Sequence, residues 1–153
     1  LLRRSPDLLQ IVGHGIYADG QGRIALVDEA GGPWKLDEEQ FANLLLGHEQ
    51  HLGLIGLASC ASGSSDDPQR FSGLAPRLVQ RCGVPAVVAM QFEVQIPAAQ
   101  LFFEEFYSAL AARKPVDWAA HAGRKAISQQ HGLDNRAFAA PVLYMRAADG
   151  TLF

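Results

Sequence analysis

The residues of this chain that could do chemistry sit in two short segments. Gly13-His14-Gly15 follows the apolar run Leu8-Leu9-Gln10-Ile11-Val12. Ala58-Ser59-Cys60-Ala61-Ser62-Gly63 follows Leu52-Gly53-Leu54-Ile55-Gly56-Leu57. A thiolate, not a thiol, attacks a carbonyl carbon, so a nucleophilic cysteine needs a base close by. An imidazole titrates near neutrality and suits that task. Each segment reads as a strand ending in a small-residue turn, and open α/β sheets bind ligands outside the carboxyl ends of their strands. If the two strands are neighbours, His14 takes the proton of Cys60 and later returns one to a leaving amine. Gly13 and Gly15 let a substrate backbone approach the ring. The Gly15 N–H and the Cys60 N–H together would make an oxyanion hole. Taken singly, a strand-end His and a lone Cys are more often structural; the pairing carries the reading.

Spacing adds to it. Cys60 follows His14 by 46 residues, close to the caspase arrangement of a Cys in a small-residue turn with its His about 50 residues upstream. The turn reads Ser-Cys-Ala-Ser-Gly, which is not the caspase pentapeptide. Other constellations rank lower. His48-Glu49-Gln50-His51 puts two histidines three apart, but nothing completes a zinc site, and a solvated loop is favoured. Gly20-Gln21-Gly22 is too short for a phosphate-binding fingerprint. Ser59 and Ser62 miss the Gly-x-Ser-x-Gly elbow of serine hydrolases. His121 and His131 read as surface residues. The chemistry calls for no metal and no organic cofactor.

The elements that must position this pair come from a 153-residue chain, enough for one domain with a real core. Apolar residues make up 48% and charged residues 19%, the balance of a folded globular protein. A net charge of −3 without a basic run gives nucleic-acid binding little support. We read no signal peptide and no apolar stretch of membrane-spanning length. Two cysteines make no disulfide framework, so a reducing, cytoplasmic setting is expected.

Four apolar runs read as buried parallel-type strands: Leu8–Val12, Leu52–Leu57, Val84–Met90 and Val142–Met145. A small hairpin is predicted between the first two, with Ile16-Tyr17-Ala18 and Arg23-Ile24-Ala25-Leu26-Val27 flanking Asp19-Gly20-Gln21-Gly22. Asp37 and Gln40 make a capping box ahead of Phe41, Leu44 and Leu45, with Gly47 closing that helix. Ser72 is placed to cap a helix carrying Leu74, Leu78 and Cys82, with Pro76 in its first turn. Pro97 opens a long helix striped by Leu101, Phe102, Phe106, Ala109 and Leu110. Asp117 is placed to cap a last helix that ends near Gly132. Alternating strands and helices predict a layered α/β sheet with helices on both faces. The first strand is expected at an uncovered edge, which would invite pairing. The loop Ser62-Gly63-Ser64-Ser65-Asp66-Asp67-Pro68 is either a substrate-contacting loop or a solvated connector. Asp66, Asp67 and Glu93 would line an acidic pocket or form a solvated cluster.

These segments resemble the CHAT domain, the bacterial caspase- and separase-like peptidase group often fused to helical repeats. The matching residues run from Val12-Gly13-His14-Gly15-Ile16-Tyr17 and Leu57-Ala58-Ser59-Cys60-Ala61-Ser62-Gly63 through Phe71-Ser72-Gly73-Leu74-Ala75. They continue through Gly83-Val84-Pro85-Ala86-Val87-Val88-Ala89-Met90-Gln91-Phe92, Phe106-Tyr107-Ser108-Ala109-Leu110 and Pro115-Val116-Asp117. Ala122-Gly123-Arg124-Lys125-Ala126-Ile127 and Pro141-Val142-Leu143-Tyr144 complete them. The resemblance implies a caspase-like three-layer αβα sandwich with a mostly parallel central sheet and a small β-hairpin insert. It implies a cysteine endopeptidase, with His14 and Cys60 in the dyad positions. Ser62, Asp66, Gln91 and Glu93 are expected as substrate-binding positions. The partners expected are a protein or peptide substrate and a helical-repeat regulatory domain or partner; no nucleic acid and no membrane are expected.

Three departures accompany the resemblance. Where the family often carries an acidic residue shortly after the Gln-Phe strand end, this chain has Ile96. Ala61 replaces another common acidic residue. The additional sheet usual before the His strand is also lacking, so residues 1–153 are expected to form a CHAT domain short of N-terminal sheet elements. A non-catalytic caspase-like protein-interaction module is the alternative reading.

Overall fold

The computed structural model describes residues 6–18, 21–46, 51–59, 74–92 and 94–153. β1 (Leu8–Ala18), β2 (Gln21–Val27) and β3 (Pro33–Asp37) are followed by α1 (Glu38–Leu45), β4 (Leu54–Ser59), α2 (Leu74–Gln80) and β5 (Ala86–Met90). The chain closes with α3 (Ile96–Ala111), α4 (Val116–His131), a 3-10 turn at Arg136–Ala139 and β6 (Pro141–Met145). The strands form one sheet in the order β3-β2-β1-β4-β5-β6.

The β1–β4 and β4–β5 pairs are parallel. Such neighbours need a crossover connection, which α2 supplies between β4 and β5. Side chains alternate across a strand, and the core divides accordingly. Leu54, Ala86, Val88 and Met90 pack beneath Phe102 and Phe106 of α3 and Ala119 and Ile127 of α4. Ile55, Leu57, Val87 and Ala89 pack with Phe41 and Leu45 of α1 and Leu74 and Leu78 of α2. Helices therefore cover both faces, and the three-layer αβα sandwich implied by the resemblance is present. Among the described residues no helix is long and apolar enough to cross a membrane.

Several expectations change. β1 is an interior strand, not an edge; β3 and β6 hold the edges. β6 runs antiparallel to β5 rather than parallel. Two helices lie between them, and an antiparallel helix pair returns the chain to the end of the sheet it left. The ladder of β5 begins at Ala86 rather than Val84, since Pro85 has no N–H to donate and the Val84 N–H closes on Leu78 O at 3.3 Å. Likewise β4 starts at Leu54, two residues late, because the N–H groups of Gly53 and Leu54 both turn to Asp7 O, at 2.8 and 3.2 Å.

The Asp37–Gln40 capping box forms, at 2.7 and 3.1 Å, although Leu46 is the C-cap of α1 and Gly47 lies outside the described residues. Ser72 is also outside them. Cys82 lies beyond the end of α2 yet is buried, its Sγ 3.9 Å from Ala42 O. Pro115, not Asp117, is the N-cap of α4, and Asp117 sits in its first turn. The expected end holds: Gly132 closes α4 at φ 79°.

Candidate active site

β1 serves two ladders in succession. Leu8 to Gly13 pair in parallel with Leu54 to Ser59 of β4. His14 to Ala18 pair antiparallel with Ala25 to Gln21 of β2. The change of partner falls between Gly13 and His14. The Gly13-His14-Gly15 segment is therefore extended strand, not the turn that its glycines suggested. A Cβ on Gly13 would stand 3.2 Å from Ala25 O, so the missing side chain lets β2 approach where the strand changes partner.

Gly13 is in register with Ser59, the last residue of β4. The next residue in each chain segment is His14 and Cys60 respectively. The backbone thus sets the residues just before His14 and Cys60 on neighbouring strands at the same level. His14 pairs with Ala25, and Gly15 with Ile24. Cys60, Ser62, Asp66 and Glu93 lie outside the described residues.

The rim of the sheet beside these strand ends is tied down at β5. The Gln91 N–H donates to Ala140 O at 2.9 Å, and its side-chain amide donates to Ala139 O at 2.7 Å. Arg124 of α4 donates through Nε and Nη2 to Pro141 O, at 2.9 and 2.6 Å. Burial lowers the pKa of this guanidinium. Gln91 is thus a bracket between β5 and the segment leading into β6.

Next to it a cleft of about 130 Å³ is lined by residues including Phe92, Gln95, His131, Asn135 and Arg136. The Arg136 guanidinium lies 5.2 Å from the Phe92 ring centroid, within cation–π range. Ile96, at the position where an acidic residue was expected, begins α3 and is 51% exposed.

Among the described residues no cluster of three His, Cys, Asp or Glu side chains is placed to hold a metal ion. His51, His121 and His131 are exposed; His48 is outside the described residues.

The sequence reading passed over a polar contact below the strand ends. Tyr107 of α3 donates its hydroxyl to Gln10 Oε1 of β1. Burial raises the Tyr107 phenol to about 12. The signal was a single carboxamide in an otherwise apolar run, opposite a glycine in a strand interior.

Residues 1–144 match the family model of the CHAT domain. No curated protein matches the chain.

Proposed function

The chain belongs to the CHAT domain family, a caspase-like cysteine peptidase group, and from that premise we propose that it is a cysteine endopeptidase acting on a protein partner through His14 and Cys60. The observation that carries this reading is the register of Gly13 with Ser59, which sets the residues just before His14 and Cys60 side by side on parallel strands. Cys60 is the nucleophile. His14 removes its proton, the thiolate attacks the scissile carbonyl, and the imidazolium then protonates the departing amine. Water releases the acyl group from sulfur in the second half of the cycle. The N–H groups of Gly15 and Cys60 stabilise the oxyanion. Ser62, Asp66, Gln91 and Glu93 contact the substrate chain. No metal or organic cofactor enters any step.

The test is cleavage of a peptide library by the wild type and by Cys60→Ala. Products from the wild type alone support the proposal; equal products from both, or none from either, overturn it.

A second reading, a caspase-like module that binds without cutting, draws on Ile96 replacing the acidic residue common in the family. It predicts that Cys60→Ala keeps the full biological effect of the protein, whereas the peptidase reading predicts loss of effect with partner binding intact.

A further inference from the structure

Gln10 and Gly56 are register partners on β1 and β4. Gln10 stands four residues before His14, and Gly56 four before Cys60. The contact between Gln10 and Tyr107 is therefore made on the same ladder as the Gly13–Ser59 pair, three rungs before it. Gly56 supplies the space for it. A Cβ at that position would lie 2.9 Å from both the Tyr107 hydroxyl and the Gln10 carboxamide carbon, so any side chain there would displace the ends of these two side chains and part the contact. On β1 the same face is uncovered two residues later, where Val12 is 67% exposed. At Val12, packing from α3 no longer covers that face of the strand.

We propose that the Gln10–Tyr107 hydrogen bond, seated over Gly56, is a latch that sets β1 against β4 and so fixes the separation of His14 and Cys60. The inference rests on the peptidase reading above, and it makes Gln10 and Tyr107 positioning residues rather than catalytic ones. An imidazole that takes a proton from a thiol must stay within hydrogen-bond reach of it, so small shifts of one strand matter. The raised pKa of Tyr107 keeps its hydroxyl a donor throughout the range in which a thiol and an imidazole titrate. The geometry of the latch is thus constant while the dyad changes charge.

The test is the rate of iodoacetamide alkylation at Cys60 as a function of pH, read by peptide mass so that buried Cys82 does not interfere. The wild type should titrate below the ordinary thiol value of about 8.5, and His14→Ala should restore that value. Tyr107→Phe and Gln10→Leu should each slow alkylation at pH 7 by about 10-fold, less than the 10²-fold that a full 1 Å misplacement can cost. They should also move the midpoint upward.

Two further variants separate positioning from stability. Ala119→Gly loosens α4, outside the helix that carries the latch; it should lower the melting temperature and leave the midpoint unchanged. The double variant Gln10→Leu/Tyr107→Phe removes both polar partners, which can restore stability; alkylation should stay slow. A midpoint that tracks melting temperature across all four variants overturns the latch and leaves the dyad standing. So does a wild-type midpoint in Tyr107→Phe. A wild-type Cys60 that titrates at the ordinary thiol value overturns the dyad and the latch together.

Discussion

In β4 and β5 the residues from Leu54 to Ala58 and from Ala86 to Met90 are all buried, with helices against both faces. In β1, β2 and β3 the described side chains divide between buried and open. Ile24 and Leu36 are buried with Phe41 and Leu45 of α1, while Val12 and Val27 stand 67% and 70% exposed. The half built on β4 and β5 is a platform whose strands have little freedom. The half built on β1, β2 and β3 has open side chains among those described, an arrangement with lower local stability. Cys60 follows a strand of the platform, and His14 lies in a strand shared by both halves. The candidate dyad straddles this seam, which puts the burden of alignment on whatever ties β1 to β4.

The comparison is broken or sharpened by substitutions on either side of the seam. Phe102 is fully buried between α3 and the sheet, its ring centroid 5.5 Å from that of Phe106. Phe102→Ala should cost about 3–5 kcal/mol in urea unfolding, from lost burial and the cavity left behind. Gly123→Ala tests the same layer by overfilling it. The new Cβ would lie 2.7 Å from Phe102 O, which forces α3 and α4 apart and should cost about 1–3 kcal/mol.

Tyr107 gives an intermediate effect confined to alkaline pH. Its folded pKa, about 12, is raised above the ordinary phenol value of about 10. Below pH ~10 the phenol is protonated in both states and its contribution is complete. Between pH ~10 and about 12 only the unfolded chain ionises there, so the folded state loses stability as pH rises. The melting temperature of the wild type should fall more steeply across that window than that of Tyr107→Phe. On the open half, Val12→Thr should change stability by no more than about 0.5 kcal/mol. A loss there comparable to that of Phe102→Ala would mean that the open face is packed after all, and the contrast would fail.

The closed half was the more legible from sequence. Its strands are continuous apolar runs, and α3 declares itself through Pro97 and the stripe containing Phe102 and Phe106. The open half was harder. Gly13 and Gly15 punctuate the sequence like a turn, yet hydrogen bonding to β2 keeps the backbone extended through them. β3 went unread because Pro33-Trp34-Lys35-Leu36-Asp37 offers only two alternating apolar residues, Trp34 and Leu36, and starts on a proline. The reversed direction of β6 depends on how α3 and α4 pair, which no local pattern encodes.

For the candidate site, the apolar runs before the His and Cys blocks were legible as strands, and those strands are neighbours. It did not expose the contact between Gln10 and Tyr107, which joins residues 97 apart in the chain.

The central claim, that His14 and Cys60 act as one catalytic unit, is tested most directly by a double-substitution cycle. For the peptide the wild type cleaves best, kcat/KM is measured for His14→Ala, Cys60→Ala and the two combined. Groups that work as a unit are strongly non-additive. Each single change should lower kcat/KM by about 10⁴-fold or more, and combining them should lower it no further. A His14→Ala variant that cleaves at the wild-type rate, or losses that multiply in the double variant, would contradict the account.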